Sequence, residues 1–274
     1  MRILLLCGDN YNQVALANKV FKKFNLTGIV VEEKQRYLHS NSFKVICIKL
    51  TDRVLFNKIH TAWRNLMQYY KKSFPSFPDT NVLRTININS DEVINFANEI
   101  NPDLIMVSGT SLMKKSFFQI KPPRGIINLH TGLSPYVKGG PNCTNWCIAN
   151  DEFHLIGNTV MWLDAGIDSG NIITTELITF SGDESLIEIH MKVMECAHDL
   201  YIRSIELLER NYEKCPSIKQ GNIAKGNLYL TKMWNSIKKR QLLKNIKGNR
   251  FKKIILSDEY KQKQSQLKLV ILQS

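Results

Sequence analysis

A chain of 274 residues with 43% hydrophobic and 22% charged residues can bury a substantial core, which excludes a disordered or disulfide-framed protein and predicts one large domain with a smaller appendage. The formal net charge is +13, but residues 219–274 carry 14 Lys/Arg against only Asp258 and Glu259, a net of +12, which leaves +1 for everything upstream. The basicity therefore belongs to the tail, either as a solvated end or as a contact for nucleic acid, an acidic membrane surface or a phosphorylated substrate.

The N-terminal apolar run stops at Gly8-Asp9-Asn10, too short for a signal peptide. No apolar run approaches the ~20 residues needed to span a bilayer, so a cytoplasmic protein is expected. The six cysteines form no Cys-x-x-Cys pair. Cys143 and Cys147 are one helical turn apart, but no histidine or second cysteine pair at zinc spacing accompanies them. They read as ordinary buried thiols, and no metal is expected.

In chain order, Ile3–Cys7 predicts a buried strand, and Asn10 to Asn12 can cap a helix running to about Phe24. Gly28–Glu32 is a second strand. Residues 35–80 read as a helical insertion, with Leu55, Ile59, Trp63, Leu66, Met67 and Tyr70 at helical spacing and a stop at Phe74-Pro75. Whether Phe43–Leu50 joins that helix or forms a strand is left open by the pattern. Val82–Ile86 is a short strand. Asn89 or Ser90 caps a helix that ends at Asn101-Pro102, and Asp103–Ser108 is an apolar strand of the buried parallel kind. A short helix follows Gly109–Met113, and Pro122-Pro123 leads to a strand ending at His130.

Past a loop through Pro135 and Tyr136, a helix is expected from Gly139-Gly140-Pro141 to about Asn150, with the proline at its first position. Thr159–Asp164 and Ile172–Phe180 are strands. Ser181 or Asp183 opens a long amphipathic helix to about Arg210. Beyond Pro216 the period is lost, and Leu228–Leu230, Lys253–Leu256 and Lys268–Leu272 are the strand candidates. The fold class is α/β, a Rossmann-like, mostly parallel sheet with helices on both faces. Residues 1–210 form the main domain and 211–274 a small basic extension.

Asn128 and His130 are two apart in a strand and share a face. His130 ends that strand, where open α/β sheets bind their ligands, and the acidic Asp164–Gly170 loop can close over it. An amide that donates to a developing oxyanion, typically worth ~3–4 kcal/mol, an imidazole near its own pKa, and a carboxylate that orients it can together transfer an acyl group to an amine. Each residue alone also fits a structural role, the aspartates as turn formers.

The ordered set of apolar strand, Asn-x-His, Leu-x-Pro-Tyr loop with glycines, helix, strand and Asp-x-Gly-x-Asp-x-Gly resembles the folate-dependent formyltransferase family. That family includes glycinamide ribonucleotide, methionyl-tRNA and amino-sugar N-formyltransferases. The likeness covers about Pro102–Phe180, and more loosely the first strand and helix. It implies that Asn128, His130 and Asp168 are catalytic and that N10-formyltetrahydrofolate is the cosubstrate. The donor would sit against Leu112, Met113 and Lys114 and the loop of Asp164, Ala165 and Gly166. The acceptor would meet Tyr136, Lys138, Gly139 and Gly140. Lys138 stands where arginine is usual in the family, and Ser134 where a second leucine is common.

The glycinamide ribonucleotide enzymes are compact and lack the helical stretch and the long tail, and the tail is too short and strand-poor for the basic barrel of methionyl-tRNA enzymes. The expected acceptor is therefore a small-molecule amine on a nucleotide-linked amino sugar destined for a surface polysaccharide. Tyr229 and Trp234, with Lys225 and Lys232, are candidates to stack on a base and hold a diphosphate. The alternatives are methionyl-tRNA or glycinamide ribonucleotide as acceptor, a hydrolase releasing formate, and a non-catalytic RNA- or membrane-binding protein using its basic tail. Nucleic acid is the less favoured partner, and a homodimer is compatible with the pattern.

Overall fold

A computed structural model of the chain describes residues 1–33 and 50–272. Seven strands form the central sheet: β1 (Arg2–Gly8), β2 (Asn25–Glu32), β3 (Asn81–Thr85), β4 (Leu104–Ser108), β5 (Ile126–His130), β7 (Gly157–Trp162) and β8 (Ile172–Leu177), in the order β3-β2-β1-β4-β5-β7-β8. The first five run parallel, while β7 and β8 are antiparallel. The expected α/β architecture is present.

Strand alternation explains how both faces are covered. Ile3, Leu5 and Cys7 join Met106, Ile127 and Leu129 in one cluster with Leu16 and Val20 of α1 (Tyr11–Phe21) and Leu200 and Ile205 of α5 (Leu186–Arg210). Leu4, Leu6, Val30, Ile105 and Val107 pack instead on Val93 and Ala97 of α3 (Asp91–Ile100) and on Phe117. Helix α2 (Asn57–Ser73), within the stretch 35–80 expected to be helical, lies in the crossover from β2 to β3, the kind of link that parallel neighbours require. It buries Ile59, Ala62, Leu66 and Tyr70. The reading at Phe43–Leu50 lies outside the described residues except for Leu50, which is helical.

Tyr201 of α5 fastens this helix to the sheet. Its hydroxyl oxygen accepts from the Val107 N–H at 2.9 Å, and its O–H faces the Ile127 and Val107 carbonyls at 2.8 and 3.1 Å. The side chain is wholly buried. Tyr201→Phe removes these buried contacts and is expected to lower the unfolding free energy by about 0.5–1.5 kcal/mol. Urea titration reads this as a lower midpoint at unchanged slope.

Two helix starts differ from expectation. The helix after Pro141 is α4 (Cys143–Ala149), and Asn142, not the proline, caps it by accepting from the Asn145 N–H at 3.0 Å. A proline ring has no side-chain acceptor for the orphan amides, whereas the carboxamide does. Helix α5 starts after Ser185 rather than at Ser181 or Asp183, because Ser185 and Glu188 form a reciprocal capping box.

The tail packs on the body. Helices α6 (Ser236–Asn245), α7 (Arg250–Ile255) and α8 (Asp258–Ser265) bury Leu242, Phe251, Ile255 and Tyr260 in a cluster shared with Cys147, Ile148, Phe153, Ile189 and Val193. Lys253–Leu256 is thus helical rather than a strand, since Phe251 and Ile255, four apart, bury one helix face. Near Lys268–Leu272 the chain lies along β8, where the Val270 carbonyl accepts from the Thr175 N–H at 2.7 Å. The strand candidate at Leu228–Leu230 is present as β9 (Asn227–Tyr229), which pairs in parallel with β6 (Val137–Gly139), a stretch expected to be loop. Gly139, at φ +89°, permits this pairing: a Cβ there would overlap the Tyr229 carbonyl oxygen. Among the described residues, no helix is long and apolar enough to cross a membrane.

Candidate active site

The parallel sheet reverses its winding between β1 and β4, and a cavity of about 920 Å³ opens at the carboxyl ends of its strands. Asn10 follows β1, Glu32 ends β2, Ser108 ends β4 with Gly109–Met113 after it, and Asn128 and His130 project from β5, all bordering this space. The 164–170 loop between β7 and β8 closes one side, and Gly139, Gly140 and Pro141 line another.

His130 and Asp168 meet as the sequence predicts, with Nδ1 3.4 Å from Oδ1. The aspartate is held from its far side, because Oδ2 accepts from the Gly139 N–H at 2.8 Å. It occupies left-handed backbone, φ +47°, which aspartate tolerates better than bulkier residues. The other ring nitrogen of His130, Nε2, lies 3.2 Å from the Val137 carbonyl and 3.5 Å from Cys143 Sγ. A carbonyl oxygen needs a donor, so Nε2 carries a proton, and the carboxylate facing Nδ1 favours a second one. Burial opposes the charge, but the Asp168 carboxylate, the Cys143 sulfur and the Val137 carbonyl outweigh it and push the pKa up to about 10. At neutral pH the ring is therefore imidazolium, a proton donor and a positive charge. The sequence had suggested an imidazole near its ordinary pKa.

Of the other residues singled out by sequence, Leu112, Met113, Asp164 and Gly166 line the cavity. Asp164 organises its own loop by accepting from the Gly166 N–H at 3.0 Å and the Ser169 hydroxyl at 2.6 Å. Four others do not line it. Lys114 is exposed beside Asn89, whose carboxamide oxygen accepts its backbone N–H at 2.6 Å, and Ala165 is exposed on the loop. The Tyr136 hydroxyl accepts from the Lys268 N–H at 2.8 Å on the tail, and Lys138 sits in β6 opposite Leu228. Trp146 is stacked on Tyr229 at 4.5 Å between centroids and meets Trp234 edge-on at 4.9 Å. Tyr229 and Trp234 thus pack on Trp146 rather than presenting free faces to a base, although Tyr229 borders the cavity.

Sequence reasoning missed three groups. Glu32, buried at the end of β2, accepts from the Ser111 N–H at 2.5 Å and the Ile88 N–H at 3.3 Å, so it shapes the β4 exit loop. A carboxylate ending an otherwise apolar strand was a usable signal. Asn12 and Gln13 line the cavity with buried, unpartnered Oδ1 and Oε1. The tail residues Leu230 and Thr231, beside the already singled-out Tyr229, supply a wall, which local pattern could not reveal. Among the described residues, no three His, Cys, Asp or Glu side chains gather as a metal site.

The sequence profile described as formyl transferase matches residues 32–205. The chain belongs to the formyl transferase family. The methionyl-tRNA formyltransferase of Clostridium tetani is 33% identical over 124 residues, which are 44% of this chain and 39% of that protein. That of Desulforamulus reducens is 31% identical over 142 residues, 52% of this chain and 43% of that protein. The chain thus spans less than half the length of these curated relatives. Among solved structures, the N-formyltransferase from Helicobacter canadensis, in complex with folinic acid and dTDP-3-aminofucose, matches with a TM-score of 0.56 at 15% identity over 92% of this chain and 82% of that one. A 4-N formyltransferase from Francisella tularensis matches with a TM-score of 0.53 at 18% identity over 88% and 86%. At such identity the likeness is one of fold.

Proposed function

We propose that this protein transfers a formyl group from N10-formyltetrahydrofolate to a primary amine carried on a nucleotide-linked amino sugar. The carrying observation is the His130–Asp168 contact of 3.4 Å beside Asn128 at one open cavity. The cavity suits such a donor. Its volume falls in the usual range for ligand sites, about 300–1,000 Å³, and its lining combines apolar Ile86, Val107, Met113 and Leu163 with polar Asp164, Asp168 and Ser169. Leu112, Met113, Asp164 and Gly166 would hold the donor, which supplies a carbon already at the formyl level.

The chain's own groups do the rest. The Asn128 carboxamide N–H donates to a carbonyl oxygen as that oxygen gains negative charge. The His130 imidazolium adds positive charge beside it and gives a proton to the departing nitrogen, and the neutral ring that remains takes the proton shed by the attacking amine. The Asp168 carboxylate keeps the ring charged and oriented.

Two findings favour a small acceptor. Tyr229, Leu230 and Thr231 fold back to wall the cavity, which narrows the acceptor side. The Helicobacter canadensis neighbour, with its bound aminofucose nucleotide, covers nearly the whole of this chain. The methionyl-tRNA reading is favoured by the curated relatives and by the basic tail. A panel of acceptors separates them: tetrahydrofolate release is expected with a dTDP- or UDP-linked amino sugar and not with charged initiator tRNA. Release with the tRNA alone replaces the acceptor, release with water alone makes the protein a hydrolase, and no release with any amine removes the transfer reading.

A further inference from the structure

The 164–170 loop is held from outside the body of the fold. Gln220, in the tail and only 8% exposed, donates from Nε2 to the Asp168 carbonyl at 2.7 Å and to the Gly170 carbonyl at 2.9 Å. Neighbouring contacts fasten the same two segments together. Ile172 and Ile218 exchange backbone hydrogen bonds at 2.8 and 3.0 Å, Asn171 Nδ2 donates to Ser217 Oγ at 2.9 Å, and Trp162 Nε1 donates to the Pro216 carbonyl at 3.1 Å.

Both partners of Gln220 Nε2 are carbonyl oxygens, so only the NH₂ end of the carboxamide can face them. Its Oε1 is then left buried with no partner. A residue present only to fill space would avoid that cost, and leucine or methionine would serve. What the carboxamide uniquely provides is a double donor that fixes the peptide of Asp168, a residue in left-handed backbone whose carboxylate faces His130.

We infer that Gln220 is a positioning residue: through the Asp168 and Gly170 carbonyls it sets where the Asp168 carboxylate stands relative to the His130 ring. Its side chain does not border the cavity. The remaining groups against the ring are the Val137 carbonyl and the Cys143 thiol, neither of which touches Gln220. Gly139 holds the carboxylate from one side and Gln220 holds the backbone from the other. The catalytic part of this inference rests on the transfer reading given above; the structural part does not.

The test uses Gln220→Met, which keeps the volume but cannot donate, and Gln220→Glu, which keeps the shape and sets a carboxylate against two carbonyls. The first readout is the His130 titration in the ligand-free full-length protein, followed by NMR of its ring. In both variants the midpoint is expected to fall toward the ordinary histidine value near 6.5. The second readout is turnover, expected to drop roughly tenfold or more while KM for the donor stays within about twofold. A His130 titration in folded Gln220→Met and Gln220→Glu that matches the unsubstituted protein overturns the inference and leaves Gln220 as a tether for the tail. If the unsubstituted protein formylates no amine, the transfer reading falls, while the titration still decides whether Gln220 positions Asp168.

Discussion

Replacing His130 by alanine is expected to reduce formyl transfer by roughly 10²–10⁴-fold, the range typical for a lost proton-transfer group. The variant is expected to fold. Asp168 keeps its bond from the Gly139 N–H, so the loop is not released, and Leu129 and Ile127 on the opposite face of β5 remain in their cluster. The fall is expected mainly in kcat, because the ring acts on a proton and on developing charge more than on ground-state binding. Steady-state kinetics alongside a thermal melt check this. Turnover within a few-fold of the unsubstituted enzyme, at unchanged fold, would remove His130 from the chemistry.

The second large effect belongs to Asp168→Asn, and it carries a pH signature. The carboxamide oxygen can still accept from Gly139, but its NH₂ then faces His130 Nδ1, which reverses the preference for a second proton on the ring. Loss of at least ~10² in turnover is expected at neutral pH. Stability changes with it. In the unsubstituted protein the folded His130 pKa, about 10, lies above the ordinary 6.5. The folded state therefore binds the extra proton across that window. The contribution of the pair is complete below pH 6.5 and is lost as pH rises through about 10. Urea midpoints measured from pH 6 to 10 are expected to fall for the unsubstituted protein by more than for Asp168→Asn. Parallel pH profiles for the two would show that the contact does not hold the proton.

Much of this arrangement was written locally. The strands β1, β4 and β5 were legible because unbroken apolar runs between turn residues suit a sheet buried on both faces. Asn128 and His130 were legible as a pair because a strand sends residues two apart to the same side. Asp164 and Asp168 stood out as turn formers in an ordered series. What escaped the reading depends on partners far along the chain. Nothing in Val137–Gly139 announces a strand until Asn227–Tyr229 arrives beside it. The side chains of Tyr136 and Lys138 were placed at the acceptor by their loop, yet Tyr136 is turned to Lys268 and Lys138 to the small β6–β9 sheet. The tail helices were hidden by their lysines, whose long stems accompany few apolar residues, so no clear stripe emerged around Leu242, Phe251 and Tyr260. The protonation of His130 was equally out of reach, since it follows from Val137 and Asp168 converging on one ring.

The close approach of Gly139 to Tyr229 has a consequence for how the molecule comes into being. A nascent chain that has emerged only as far as Arg210 already owns the full sheet, yet lacks the segment that walls the cavity and that latches the 164–170 loop. Synthesis proceeds from the N-terminus, so the cavity wall and the latch on the loop are added after the sheet. A fragment cut after α5 would present Trp146 and the face that covers Leu242 to solvent, and would be prone to aggregate rather than to work at a reduced rate.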